Sequence, residues 1–253
     1  MQNHKKRLGQ HFLHDKNIIN KIIKNLRADI KDTFIEIGPG EGALTTPLLE
    51  EVKNIILIEK DRDLIPGLEK KYNDKKVKIV NQDILKCDLS DLIKKNIRIV
   101  GNLPYNISTE IIFRLLTFSK DIKDLHFMLQ KEVVDRIVAD PGTKVYGRLS
   151  VMTQVYFTVK KLFDISPNVF IPKPKVDSSY IRLIPKDYIF NSLEHEKKFK
   201  GIVNTVFSAR RKMIKTSLKG IIDSQALQEL SIEPSSRPEI LSIQNYIDIS
   251  KNV

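Results

Sequence analysis

The sequence predicts an α/β fold with a parallel sheet at its centre, and three observations support this. Residues 1–185 alternate short runs of β-branched and aromatic residues with stretches of helical periodicity, the pattern of strands joined by crossover helices. The first strong apolar run, residues 34–37, passes directly into the glycine turn Gly38-Pro39-Gly40-Glu41-Gly42. Carboxylates then recur at or beside the ends of three successive runs, as Glu36, Glu59 and Asp83.

The elements follow in order. A helix is expected over residues 16–26, with Asp15 as its N-cap because an aspartate there can accept from the free backbone N–H groups of the first turn. Strands are expected over residues 34–37, 55–58, 77–80, 97–100 and 125–129, with helices near 43–52, 62–72, 89–95 and 109–118 between them. After Glu132 a helix runs to about Asp140, where Pro141-Gly142 stops it, and another covers residues 149–155. Three prolines within residues 166–174 force an extended loop. Residues 178–184 read as a last strand, able to close the sheet as a hairpin with a preceding one. Pro185 and the polar run to His195 read as a linker. Beyond it, Phe199, Ile202, Val203 and Val206 form one apolar helical face, and Leu218, Ile221, Ile222, Leu227 and Leu230 add core for a small helical domain. The expected division is 1–185 and 186–253.

The chain has 253 residues, 41% apolar and 29% charged, which suits one large globular domain with or without a small appendage. No apolar run approaches the roughly 20 residues that span a bilayer. The basic segment 1–9 is not followed by the apolar stretch of a signal peptide, so a cytoplasmic location and no membrane partner are expected. One cysteine, Cys87, excludes an internal disulfide framework and reads as a packing thiol in a reducing compartment. His4, His14, His126 and His195 do not fall at ligand spacing with cysteines or acids, so no metal is expected. The net charge of +12 favours an anionic partner, nucleic acid first, although a Lys-, Ile- and Asn-rich composition is a plainer source of the same charge. Its distribution is more telling. Residues 197–219 carry eight basic side chains and no acidic one. In a single helix over 199–219, Arg211, Lys215 and Lys219 would recur on one face, beside Arg210 and Lys212. Lys5, Lys6 and Arg7 add charge near the N-terminus.

The glycine turn carries the first chemical reading. Gly38 and Gly40 permit tight backbone geometry and close approach of a nucleotide-type cofactor. The third glycine, Gly42, falls too early for a G-x-G-x-x-G fingerprint, which counts against NAD. Glu36 fits poorly beside a pyrophosphate and better near a cationic amino-acid tail. Glu59, 21 positions after Gly38, is placed for a ribose diol. Asp83, preceded by Gln82, could accept from an adenine amine.

The second reading comes from Asn102-Leu103-Pro104-Tyr105, which follows the apolar run 97–100 and Gly101, a residue expected to let the chain turn sharply. This set suits a planar base with an exocyclic NH2. The Asn102 oxygen and the Leu103 carbonyl can accept its two N–H bonds, Pro104 stiffens the loop, and Tyr105 can stack on its face.

These residues carry a family resemblance that extends over nearly the whole chain. With Gly9-Gln10-His11-Phe12-Leu13, Leu129-Gln130-Lys131-Glu132, Tyr146-Gly147-Arg148-Leu149-Ser150, Phe170 with Pro172-Lys173-Pro174-Lys175-Val176-Asp177-Ser178, and Arg210-Arg211-Lys212, the chain resembles the class I S-adenosylmethionine-dependent methyltransferases. Within them it is similar to the rRNA adenine N6-dimethyltransferases, nearest their small-subunit (16S) group. The resemblance implies a Rossmann-like, seven-stranded, mostly parallel sheet and a small C-terminal all-α domain. It implies S-adenosylmethionine as cofactor, contacted by His11, Leu13, Gly38, Glu59, Asp83 and Asn102, with Gly40 in the same turn. Asn102, Leu103, Pro104 and Tyr105 would carry catalysis, with Phe170 as a second stacking ring. Arg210, Arg211, Lys212 and Lys215 would contact RNA. The implied substrate is a pair of adjacent adenosines in the 3'-terminal hairpin loop of small-subunit rRNA, met in an assembling subunit by a monomer. The family commonly has Asn where His11 stands; both can donate and accept one hydrogen bond, so retained binding with added pH sensitivity is expected. A large-subunit rRNA methyltransferase of the antibiotic-resistance type, and an assembly factor acting mainly by binding, stay open as alternatives.

Overall fold

The computed structural model describes residues 10–73 and 76–253, so Gly9 and the Lys5-Lys6-Arg7 cluster lie outside the described residues. The chain forms two compact units. The first holds the described residues up to Val134 together with Thr158–Pro185, and the second holds Asp135–Phe157 and Lys186–Val253. The division expected on sequence is 1–185 and 186–253; the compact units also divide after Pro185, and they group residues 135–157 with the C-terminal helices.

The first unit is built on a seven-stranded sheet. Its strands are β2 (Thr33–Ile37), β3 (Asn54–Glu59), β4 (Val77–Asn81), β5 (Ile97–Asn102), β6 (Ile122–Gln130), β7 (Phe157–Ile165) and β9 (Ser178–Pro185), in the order β4-β3-β2-β5-β6-β9-β7. The pairs β4/β3, β3/β2, β2/β5 and β5/β6 are parallel, and β9 runs antiparallel to β6. The central strands read as unbroken apolar runs because helices cover both faces. Two further strands, β1 (Phe12–Leu13) and β8 (Phe170–Ile171), pair antiparallel with each other.

Local chemistry accounts for the elements. Helix α1 (Lys16–Leu26) starts where the Asp15 carboxylate accepts from Ile18 N–H at 2.9 Å, and it ends at Arg27 in the left-handed region. Helices α2 (Thr45–Glu51), α3 (Ile65–Tyr72) and α4 (Ser108–Leu116) occupy the crossovers. Residues 89–95 do not form the expected helix. Their apolar spacing is satisfied by one turn that buries Leu89, Leu92 and Ile93, with Ile93 N–H on Leu89 O at 2.8 Å, and Asn96 at positive φ ends it. Gly101 makes no turn either. It lies inside β5, where a Cβ would stand 2.6 Å from Ile37 O, so its role is to let β2 approach. The three-proline segment is not uniformly extended: residues 167–169 form a 3-10 turn before β8.

Helix α5 (Lys131–Ile137) crosses from the first unit to the second, which continues with α6 (Arg148–Tyr156), α7 (Leu193–Ser208), α8 (Ile214–Ser217), α9 (Ser224–Glu229) and α10 (Ile243–Lys251). The expected linker is packed structure. Phe190 is buried against Phe199, His195 and Tyr156, and α7 begins at Leu193, with the Ser192 hydroxyl accepting from His195 N–H. The single basic helix over 199–219 does not form. Helix α7 stops at Ser208, the chain turns through Lys212 N–H to Ala209 O (2.8 Å), and α8 restarts after an extended Met213. Ile214, fully buried, draws the chain inward and ties it to Ser236 O at 2.8 Å.

Candidate active site

The strand order reverses between β2 and β5, and ligands in open α/β sheets bind beyond the carboxyl ends of strands at such a point. A cavity of about 320 Å³ lies there, entirely within the first unit. Its walls come from the ends of β2, β3, β5 and β6 and from the segment around β1. Of the residues expected on sequence, it brings together His11, Leu13, Gly38, Gly40, Glu59, Asn102, Leu103, Pro104 and Tyr105.

Each wall has a local cause. Gly40 sits at φ +58° against β1, where a Cβ would meet the Phe12 ring at 2.8 Å, and its N–H donates to Glu59 Oε2 at 3.1 Å. Glu59 Oε1 also accepts from Asp61 N–H at 2.8 Å, so this carboxylate fixes both the glycine turn and its own strand end. The N-terminal segment is held over the cleft by the β1–β8 pairing and by His14 N–H on Val169 O (3.1 Å). Leu103 N–H is spent on Met128 O at 3.2 Å, which leaves the carbonyl of that residue as the group to meet a ligand. Tyr105 is positioned at both ends: its hydroxyl lies 2.6 Å from Ser178 Oγ, and its ring stacks on His11 with centroids 5.4 Å apart.

The Asn102 amide is held in one orientation. Its Nδ2 donates to the His11 carbonyl oxygen at 2.7 Å. A carbonyl oxygen only accepts, so the side-chain amide is oriented by chemistry with Oδ1 turned to the remaining side.

Two buried carboxylates share the cavity. Glu36 is 2% exposed and accepts from Thr45 Oγ1 at 2.6 Å. Burial pushes its carboxyl up to about 7, with the Glu59 charge adding to the shift and the Thr45 hydrogen bond and Lys71 opposing it. Burial also raises Glu59, against hydrogen bonds from the Asp61, Gly40 and Lys60 backbone. Two like charges held out of water attract a cation. A cationic ligand seated here therefore favours ionised Glu36, and its affinity is expected to rise with pH up to about 7 and then level. The slope below that point approaches one log unit per pH unit. Calorimetric titration with S-adenosylmethionine between pH 5.5 and 8.5 checks this, and Glu36→Gln removes the slope. In the cofactor-free protein the sign is opposite: a raised carboxyl stabilises the fold below its unfolded value of 4.5, and that contribution is lost as pH rises toward 7.

Two expected residues are not in the cleft. Phe170 is a core side chain, 2% exposed and packed with Leu13, Ile165 and Tyr180, because β8 turns it inward opposite Leu13. It does not line the cavity in this structure. Strand β4 ends at Asn81, so Asp83 stands two residues beyond it, with its carboxylate 2.8 Å from Lys60 Nζ and capping Leu85 N–H at 3.0 Å, off the cavity wall. Lys71 and Met128, in contrast, line the cavity without having been singled out. Lys71 arrives because α3 ends over the glycine turn, where its Nζ donates to Glu41 O at 3.0 Å; nothing in its local sequence marks that.

The basic residues of the second unit divide. Arg210 is engaged, with Nη2 on Lys144 O at 2.6 Å and Nε 3.4 Å from Glu239. Lys198 and Lys200 pair with Glu194 and Glu196 along α7. Arg211, Lys212, Lys215 and Lys219 are exposed, on the turn after α7 and around α8 rather than on one helix face.

Comparison with known proteins agrees with this architecture. The family described as ribosomal RNA adenine dimethylase matches residues 1–253. The ribosomal RNA small subunit methyltransferase A of Alcanivorax borkumensis is 43% identical over 248 residues, covering 97% of this chain and 89% of that protein. Its namesake from Coxiella burnetii is 45% identical over 248 residues, covering 97% and 96%. A dimethyladenosine transferase from Plasmodium falciparum has the same fold at TM-score 0.83 and 25% identity, over 94% of this chain and 96% of that one. The 23S rRNA methyltransferase ErmE shares it at TM-score 0.75 and 23% identity, over 95% and 98%. Sheet order, cleft and relatives converge on one assignment: the chain belongs to the ribosomal RNA adenine dimethylase family and has the Rossmann-like fold of its methyltransferases.

Proposed function

We propose that this protein transfers methyl groups from S-adenosylmethionine to N6 of two adjacent adenosines in the 3'-terminal hairpin loop of small-subunit rRNA, acting as a monomer on an assembling subunit in the cytoplasm. The observation that carries the reading is the locked Asn102 amide, whose Oδ1 is presented beside the Leu103 carbonyl and the Tyr105 ring in one cleft. The near full-length similarity to proteins named ribosomal RNA small subunit methyltransferase A supports the choice of subunit.

The cleft fits the cofactor. Its paired buried carboxylates suit a ligand bearing sulfonium and ammonium charge, and the Gly38–Gly40 turn leaves room for close approach. His11, Leu13, Gly38, Gly40, Glu59 and Asn102 are the residues to hold it. When bound, it supplies an electrophilic methyl group on sulfur. The protein mainly positions the reactants. Adenine N6 is a poor nucleophile because its lone pair is delocalised into the ring. Accepting its N–H bonds at Asn102 Oδ1 and Leu103 O favours a pyramidal nitrogen and stabilises the positive charge that develops there, an effect largest in the transition state. The base leaves its stack to enter, and Tyr105 holds it by the ring face that His11 does not cover.

RNA is held through its phosphates by the exposed cations of the second unit. Replacing Arg211 and Lys212 together by Ala is expected to lower affinity for subunits and to flatten log Kobs against log salt by about 1.5, since each phosphate contact contributes roughly 0.7–0.9. Filter binding across a salt series checks this. The function itself is tested by offering labelled S-adenosylmethionine with unmethylated small subunits, and separately with large subunits. Label in small-subunit rRNA supports the reading; label only in large-subunit rRNA moves the protein to the resistance-type activity, and binding without transfer to either favours an assembly factor.

A further inference from the structure

We propose that a lysine-lined groove at the amino ends of the strands binds the phosphate backbone of the substrate subunit's RNA, a contact separate from the cleft that rests on the function proposed above. The groove lies in the first unit and has a volume of about 600 Å³. Its floor is apolar, from Ile56, Leu92 and Ile97. Strand β5 runs from the groove to the cleft: Ile97 lines the first and Asn102, at the other end of the strand, lines the second. Five residue steps at about 3.3 Å put roughly 17 Å between them. The nucleotide that enters the cleft therefore does not also fill the groove, which takes a different part of the RNA.

The charge is gathered by the fold. Lys31 precedes β2, Lys78 lies on β4, Lys94 and Lys95 come from the turn before β5, and Lys123 lies near the start of β6. All five are exposed. A Lys-rich composition supplies lysines, but it does not collect those of four separate segments around one depression. Two carboxylates, Asp32 and Asp91, stand against the five lysines, which leaves three positive charges in excess. Asp32 is already committed, with Oδ1 2.7 Å from Lys123 Nζ and Oδ2 2.7 Å from Arg98 Nη1. Lys94 Nζ donates to Ser90 O at 3.3 Å, which leaves its charge unbalanced. Among the described residues, the ammonium groups of Lys31, Lys78 and Lys95 have no ion pair or hydrogen bond. Elsewhere in the unit lysines are paired, as Lys60 is with Asp83 and Lys161 with Asp164. A lysine on an edge strand discourages pairing with another chain, which accounts for Lys78 alone.

The lining selects the ligand. Ammonium groups are compact point charges that meet phosphate without the planar fork of a guanidinium. None of the described residues lining the groove is aromatic or an arginine, so a base finds no stacking platform there. Thr33 and Asn96 are its neutral polar side chains. Cations without a stacking platform suit a backbone contact, which fixes position rather than sequence.

The test replaces Lys31, Lys78 and Lys95 together by Gln in the whole protein. Lys123 is left in place because it belongs to the Asp32–Arg98 network. Binding to unmethylated small subunits is measured across a salt series, and methyl transfer is measured on the same subunits. Each phosphate contact contributes roughly 0.7–0.9 to the slope of log Kobs against log salt. The triple variant is therefore expected to flatten that slope by roughly 2 and to bind about 100-fold more weakly at about 0.1 M salt. Its KM for subunits should rise, while kcat at saturation and the calorimetric affinity for S-adenosylmethionine stay at wild-type values. Lys31→Arg, Lys78→Arg and Lys95→Arg in one chain should restore both slope and affinity. A triple Gln variant with wild-type slope and affinity overturns the proposal, and wild-type methyl transfer then leaves the methyltransferase reading intact. Binding of inorganic tripolyphosphate that the triple Gln variant loses, with no change in its affinity for subunits, also overturns it and assigns the groove to a small polyphosphate. No binding or transfer to small subunits by the wild-type protein removes both readings.

Discussion

Replacing Asn102 by Ala is expected to lower kcat for methyl transfer by about 10²–10³-fold, the range found when one preorganised hydrogen-bonding group is removed from a site of developing charge. The loss should fall more on kcat than on cofactor affinity. Asn102 Oδ1 acts on an amine that becomes more positive as the bond forms, so its contribution grows toward the transition state. The structure adds a second consequence. Nδ2 also holds His11 O at 2.7 Å, so Ala frees the segment that covers the cleft. Asn102→Asp separates the two effects. It retains an acceptor for N6–H but sets a carboxylate oxygen against the His11 carbonyl, and is expected to be impaired through misplacement. Single-turnover transfer with calorimetric cofactor titration measures both. Equal losses in binding and in turnover for Asn102→Ala would assign the residue to cofactor binding alone.

Arg98→Met is expected to destabilise the fold by about 3–5 kcal/mol, the cost of leaving buried charge without its partner. Arg98 is 3% exposed on β5, four residues before Asn102. Its Nε and Nη2 each lie 2.8 Å from an Asp124 oxygen, Nη1 reaches Asp32 at 2.7 Å, and Nη2 also donates to Leu26 O at 2.6 Å. One guanidinium thereby ties β5 to β6 and to the end of α1, and sets the level at which Asn102 leaves the sheet. Burial acts to raise the Asp124 carboxyl, but hydrogen bonds from His126 and Arg98 outweigh it and hold the group well below the usual carboxylate range. Its stabilising contribution is therefore complete above the unfolded value near 3.8 and is lost as pH falls through the depressed folded value. Urea unfolding of the wild type and Arg98→Met at pH 7 gives the difference. Arg98→Met combined with Asp124→Asn should recover part of it, and no loss in the single variant would show that the network is dispensable.

What could be read in the sequence follows from where each signal resides. Strands β2, β3, β5 and β6 were legible because burial on both faces makes them mostly apolar runs, the edge strand β4 because Val77, Ile79 and Val80 keep β-branched side chains in a short run, and α1 because Asp15 marks its start. Most of the cleft was legible for the same reason: its groups sit at strand ends or in the turn beside them. β7 escaped notice because it is an edge strand, with Lys160 and Lys161 breaking its apolar pattern. β1 and β8 are two residues each, and their pairing is a tertiary fact with no local period. The same pairing buries Phe170 and removes it from the cleft. Helical spacing misled twice. At 89–95 one turn satisfied it, and at 199–219 the inward pull of Ile214 broke the run, leaving Arg211 and Lys212 on a turn. Lys71 was invisible because its place depends on how α3 packs over the glycine turn.

The most direct test of the account is mass spectrometry of nucleosides from small-subunit rRNA after incubation of unmethylated subunits with the protein and S-adenosylmethionine. The account predicts N6,N6-dimethyladenosine in small-subunit rRNA, formed by the wild type and absent with Asn102→Ala. Methylation at a position other than adenine N6, or a product that forms equally well with Asn102→Ala, would contradict it.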